Sequence, residues 1–176
     1  MKYILKSRIL FIEEENKAIA KIKSSFLDAK KTIYVTEDCK QYQTDIDVSN
    51  VPVDKKGDVR FRIYKLEDES GNMLLQAHPC YAKDDDPDVV GWSICRAQKV
   101  DHANVIVNGT NRMLIMYNSQ NYSLQNQDGS IVLQVMHNGI AGGWTILTKE
   151  EFSIEIICGL FIFCRYIEQE NEFIVV

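Results

Sequence analysis

Through residue 147 the chain is made of short segments in which apolar residues recur at a period of two, separated by turn-forming clusters. From residue 148 that pattern stops. Thr148 with Glu151 three positions later has the form of a capping box, which predicts a helix over residues 149–167. Between Phe152 and Ile167 the only charges are Glu155 and Arg165, and residues 156–164 are apolar apart from Gly159. A helix that is apolar on every side must be wrapped, either by protein or by lipid. The uninterrupted run covers nine residues, about half of the ~18–20 that a bilayer core requires. The preceding strands are therefore the expected wrapper. Gly159 is expected to admit a close neighbour, since glycine inside a helix costs about 1 kcal/mol relative to alanine.

Residues 3–12 read as a first strand, closed by an acidic turn at 13–17. Residues 18–26 and 31–36 read as short strands, and 45–53 as another that Pro52 confines to an edge or an end. After a turn at 54–58, Val59, Phe61 and Ile63 alternate with Arg60 and Arg62, which predicts a half-buried strand with a basic outer face. Asn108-Gly109 between residues 102–107 and 110–117 is a hairpin signal, because both positions tolerate positive φ. Residues 172–176 read as a final strand.

The chain also repeats itself. Residues 64–77 match residues 122–135 without a gap at an offset of 58, with Tyr, Leu, Gly, Leu and Gln coincident. Each copy is followed by Gly-Trp-hydroxyl-Ile, at Gly91-Trp92-Ser93-Ile94 and Gly143-Trp144-Thr145-Ile146. Two copies are too few for a solenoid and suggest two sheet halves related by pseudo-symmetry. The two tryptophans are expected in the core or at a rim.

Paired strand–Gly turn–strand units, Gly-Trp-Ser/Thr-Ile strands and an apolar near-C-terminal helix together resemble the tubby C-terminal-like superfamily, in particular its LURP-one-related and phospholipid scramblase-like branch. The resemblance is carried by residues 58–176 and holds over 1–57 only as a pattern. It implies an α+β fold: a closed antiparallel β-barrel of about twelve strands enclosing a hydrophobic C-terminal helix. It also implies binding of anionic phospholipid or phosphoinositide, or a scaffolding role between proteins. The cysteine-rich acylation segment of the scramblase branch has no counterpart here.

Composition narrows this. No linker or low-complexity tract divides the 176 residues, so residues 1–176 are read as a single domain. The net charge of −5 argues against a nucleic-acid partner, yet residues 1–65 hold 14 Lys and Arg against 10 acids, and residues 66–176 hold 6 against 15. Five cysteines without CxxC spacing suit a reducing compartment, and no signal-peptide core opens the chain, so a cytoplasmic location, peripheral to membrane at most, is expected.

The acidic run at 83–88 fails as a calcium loop, because Val89 and Cys95 stand where glycine and glutamate are needed, and it reads as a solvated loop. Candidate catalytic pairs are Asp101 with His102, His78 with Cys80, and His137 with Cys95. Neighbours on a strand point to opposite faces, so Asp101 and His102 are not expected to cooperate. With no nucleophile elbow, phosphate loop or zinc-helix motif, the expectation is a binding module that is not an enzyme, with no cofactor and no metal. Lys55, Lys56, Arg60 and Arg62 are its expected ligand-binding residues, for anionic phospholipid or an acidic protein surface. A structural or regulatory protein-interaction domain with no small ligand is the alternative.

Overall fold

The computed structural model describes residues 1–24, 29–55, 58–90 and 98–172. Twelve antiparallel strands form one closed barrel: β1 Lys2–Lys6, β2 Ile9–Ile12, β3 Lys17–Ser24, β4 Lys31–Val35, β5 Gln41–Asp47, β6 Ile63–Asp68, β7 Met73–Tyr81, β8 Val100–Val107, β9 Thr110–Asn118, β10 Asn121–Gln125, β11 Ile131–His137 and β12 Trp144–Thr148. Each strand pairs with its neighbours in sequence, and β1 pairs with both β2 and β12 to close the ring. A short helix, α1 (Pro87–Val90), lies between β7 and β8; the long helix, α2 (Ile154–Glu172), follows β12.

Alternation decides which side chains enter the lumen. Tyr3 and Leu5, Tyr64 and Leu66, Leu75 and Ala77, Tyr122 and Leu124, and Leu133 and Val135 point inward and are buried. Eight strands already make an interior that side chains alone can fill. Twelve leave room for a body about 10 Å across, which is the width of a helix. Ile157, Leu160, Phe163, Cys164, Tyr166 and Ile167 of α2 are buried on all sides there, as the apolar run requires. Among the described residues no helix is long and apolar enough to cross a membrane.

The helix boundaries differ from the sequence reading. Thr148 is the last residue of β12, where its N–H donates to the Met1 carbonyl and its carbonyl accepts from the Met1 amine. Sheet pairing therefore takes the groups a capping box would use. The first helical bond runs instead from Ile157 N–H to the Ser153 carbonyl. At the other end the helix continues to Glu172, so that residue is not in a strand; residues 173–176, the rest of the expected final strand, lie outside the described residues.

Several strand readings are also corrected. Residues 3–12 are two strands, because Ser7 and Arg8 both adopt positive φ (51° and 67°) and close a two-residue hairpin without glycine. β5 occupies 41–47, and Val53 belongs to a 3₁₀ turn, Val53–Lys55. The expected hairpin at Asn108-Gly109 is present, with φ of 49° and 75°.

The internal repeat is a pair of hairpins with the same register. Tyr64 faces Ala77 and Leu66 faces Leu75; Tyr122 faces Val135 and Leu124 faces Leu133. Both carry a bulge directly after the leucine, and both turns close through the same bonds, Gly71 to Asp68 and Gly129 to Asn126. β10 lies four strand positions from β6 in a ring of twelve, so the copies are related by one third of the barrel and not by half of it. The second Gly-Trp strand is β12; Gly91 to Ile94 lie outside the described residues.

Gly159 meets the first of these hairpins. A Cβ placed on it would lie 2.9 Å from Leu66 Cδ2 and 3.2 Å from Leu75 Cδ2. Ala at this position gains about 1 kcal/mol in helix propensity but must push two buried leucine tips aside, while valine overpacks further, at about 1–3 kcal/mol. Gly159→Val is expected to lower the thermal midpoint by several degrees and Gly159→Ala to change it little, as measured by calorimetry. A Val variant with the parent's midpoint would mean that the wall does not close on the helix here.

Candidate functional site

The expected basic strand at 59–63 is a 3₁₀ turn, Val59–Phe61, with the sheet starting only at Ile63. Asp58 starts that turn by accepting the Arg60 N–H at 3.1 Å. Val59 is buried, Phe61 is exposed, and the two arginines do not share an outer strand face.

Both arginines already have acidic partners. Arg60 donates from Nε and Nη2 to Asp58 at 3.0 and 2.8 Å, and Nη1 reaches Asp86 at 3.6 Å and Asp88. The hydrogen bond to Asp58, foremost, raises the guanidinium's pKa above its ordinary value. Arg62 pairs through Nη1 with Glu170, a carboxylate buried at the end of α2 that also accepts from Tyr64 at 3.4 Å. Arg62 Nε is buried without a partner. Lys55 is exposed at the end of its 3₁₀ turn, and Lys56 lies outside the described residues. The acidic run at 83–88 is thus more than a solvated loop: Asp86 and Asp88 hold Arg60, and buried Asp85 accepts the Lys99 N–H at 3.2 Å. Asp58, Asp86, Asp88 and Glu170 neutralise two of the four cations expected to bind ligand, Arg60 and Arg62.

A second cationic group forms where the helix leaves a gap. α2 packs most closely on β3 to β9, and a cleft of about 420 Å³ remains between it, β12, β1 with its hairpin turn, and the adjoining ends of β3 and β4. Leu5, Ile22, Trp144, Phe161 and Ile162 make its apolar surface; Arg8, Lys31 and Arg165 stand around it with Ser7, Ser24 and Gln169. Its geometry follows from the local fold. Arg8 is presented by the tight β1–β2 hairpin, and its carbonyl accepts from Ile22 N–H at 2.8 Å. Gly143, with φ of 82°, brings β12 so near β1 that a Cβ would sit 2.8 Å from the Leu5 carbonyl oxygen. Trp144 stands edge-on to Phe161 at 5.4 Å between centroids, and the Arg165 guanidinium lies 5.4 Å over the indole. Arg165 also pairs with Glu168 of its own helix. Arg8 is exposed and has no ion pair among the described residues.

No protein-family model, curated protein or solved structure gives a significant match to this chain. Its chemistry therefore has to be argued from the site itself. Three cations beside an apolar cleft form a surface suited to a ligand with an anionic head and a greasy remainder. Sequence reading passed over Arg8, Lys31 and Arg165 because they come from three distant segments and no local density marks them. One signal was available: strands β1 to β4 carry Lys2, Lys6, Lys17, Lys21, Lys23 and Lys31 and no acid.

Proposed function

We propose that this barrel is a binding module for an anionic phospholipid or phosphoinositide, held at the cleft beside α2. The observation that carries the reading is the convergence of Arg8, Lys31 and Arg165 on an apolar surface made by Trp144, Phe161 and Ile162. Arginine suits phosphate because its planar fork offers two donors at once, and a lysine adds a compact charge. The apolar surface takes the first part of an acyl chain, and Trp144 is an indole of the kind that settles at a headgroup boundary. The closed twelve-strand barrel around a C-terminal helix also supports the resemblance to the tubby C-terminal-like superfamily. In this reading Lys55 is not part of the cleft, and Arg60 and Arg62 serve the fold.

Co-sedimentation with vesicles of phosphatidylcholine alone, or containing phosphatidylserine or a phosphoinositide, tests it. Retention is expected only with the anionic vesicles and is expected to fall as salt shortens the Debye length below about 10 Å. The comparison of the two anionic lipids identifies the headgroup. Arg8→Glu/Lys31→Glu is expected to weaken retention by about tenfold or more, and Lys55→Glu to leave it unchanged, since charge reversal acts where the phosphate sits. Retention lost in Lys55→Glu but kept in the double variant would move the site to the 54–62 loop. A parent protein that no vesicle retains would leave the protein-interaction reading in its place.

A further inference from the structure

Across the barrel from the cleft, the outer wall of β7–β10 brings together three side chains that alternation alone would have kept apart. Cys80 of β7 stands directly opposite His102 of β8, and the next pair is Tyr81 with Val100, so Asp101 is a bulged residue with no partner of its own. Val100 and Ala103 both point into the lumen, and the two residues between them, Asp101 and His102, both face outward. The bulge therefore overturns the expectation that these neighbours cannot cooperate. His102 Nδ1 lies 2.5 Å from Asp101 Oδ1. Cys80, directly opposite His102, places its thiol on the same face, where cross-strand partners have Cβ atoms about 5 Å apart, and Asn104, next on the outer face of β8, donates from Nδ2 to Cys80 Sγ at 3.3 Å. The thiol in turn reaches the His78 carbonyl at 3.6 Å.

We propose that Cys80 is a nucleophile for acyl transfer, activated by His102 and oriented through Asp101, serving a substrate laid in the adjoining groove. That groove, about 440 Å³, begins beside Cys80 at His78 and Asn104 and runs over Ile106 and Met113 to Gln125 and Asn126. Apart from the His78 imidazole and Arg112, whose guanidinium is paired with Glu150 at 2.6 Å, the lining is apolar or carries neutral amides, which suits an ester or thioester with a largely apolar chain. Sγ attacks the carbonyl carbon, and the thiol proton passes to the imidazole. With Nδ1 engaged by Asp101, Nε2 is the nitrogen left to take it. The C–O or C–S bond of the leaving group breaks as the imidazolium returns that proton to it. Water, deprotonated by the same ring, then attacks the thioester carbonyl; the C–S bond breaks, the ring's proton returns to Sγ, and the acid is freed. Asn104 supplies the nearest side-chain N–H for the oxyanion.

The ring is suited to holding that proton until the leaving group takes it, since Cys80, foremost, and then Asp101 raise His102 to about 9 against the desolvation that lowers it. The other described cysteines lack such partners. Cys158 and Cys164 are buried in α2, where burial pushes both thiols up, Cys158 to about 12. Cys39 is exposed, and its sulfur contacts only the Thr36 carbonyl among the described residues, so it is a built-in comparator within the same molecule.

The site is remote from the lipid cleft, so the two readings fail independently. The test uses the whole chain with p-nitrophenyl acetate, following phenolate release and locating the acetyl group by peptide mass mapping. Cys80 is expected to be acetylated at least about tenfold faster than Cys39 at pH 7, with phenolate release passing one equivalent per protein. His102→Gln is expected to slow Cys80 by about 10²-fold and leave Cys39 unchanged. Asp101→Asn is expected to slow it less and to shift the pH profile of Cys80 alone. Acetylation of Cys80 no faster than that of Cys39 would overturn the proposal. So would release that stops at one equivalent, or that survives Cys80→Ala or His102→Gln.

Discussion

Ile157→Asp is expected to yield no soluble folded protein. Ile157 is completely buried in α2, which is itself surrounded by the barrel wall. The variant loses the transfer energy of an isoleucine, about 1.5–3 kcal/mol. It also places a carboxylate where nothing can pair with it, at a cost of several kcal/mol more. A domain of ordinary stability has about 5–15 kcal/mol in all. Phe161, at the edge of the cleft and still buried, is expected to tolerate aspartate only a little better. Val48→Asp is the control, because Val48 is exposed on the loop after β5. Soluble yield and thermal unfolding of the three variants provide the measurement. A soluble Ile157→Asp protein with the parent's midpoint would mean that the helix is not enclosed.

Arg62→Ala is expected to lower the thermal midpoint by roughly 5–10 °C, as a domain of this size loses about 2–4 °C per kcal/mol. The variant leaves the Glu170 carboxylate, whose side chain is 5% exposed, without its cation. Breaking a buried pair from one side costs about 3–5 kcal/mol, and the lower end applies because the Arg62 side chain is 26% exposed. Arg62→Met/Glu170→Leu is expected to recover most of the loss, since removing both charges leaves none unpaired. Arg60→Ala is expected to cost less, about 1 kcal/mol, because Asp58 keeps the residue-60 backbone N–H as a partner and Asp88 is exposed. An Arg62→Ala protein as stable as Arg60→Ala would show that Glu170 finds solvent. A loss of lipid binding in any Arg62 variant has to be read against this lesion before it is assigned to a ligand contact.

What could be read from the sequence divides along physical lines. The helix was legible because an all-round apolar run has few alternatives, and its wrapper followed from the strand patterns. Its start was misplaced because Thr148 and Glu151 satisfy a local motif while closure of β12 on Met1, 147 positions away, decides the matter. The hairpins at Asn108-Gly109 and in the repeat were legible through glycine chemistry; the one at Ser7-Arg8 was not, because non-glycine residues there accept positive φ. Val59 to Ile63 alternates over only five residues, too few to separate a strand from a 3₁₀ turn capped by Asp58. Asp58, the first partner of Arg60, is local, but the other acids that neutralise Arg60 and Arg62 come from the β7–β8 connection and the end of α2, and nothing local in the sequence joins them. At Asp101 and His102 the hint was present: Val100 and Ala103 are apolar and three apart inside a period-two strand, the spacing of a bulge.

The closure of β1 on β12 also bears on how this molecule is made. The first strand finds its second partner only after the other eleven strands have been joined, and the helix that fills the lumen follows all of them in the chain. Until then a growing chain holds an unsealed sheet with two free edges and an apolar concave face, the combination that favours association with other chains. Ring closure between strands so far apart carries a large loop-entropy cost that no local contact offsets, which places this topology among slow-folding architectures. The last turns of α2 act as a latch on that process. Asn171 bonds both the N–H and the carbonyl of Val100, at 2.9 and 2.8 Å, and Tyr166 bonds Thr44 and the Ala29 carbonyl, so seating of the helix fastens three separate parts of the rim at once.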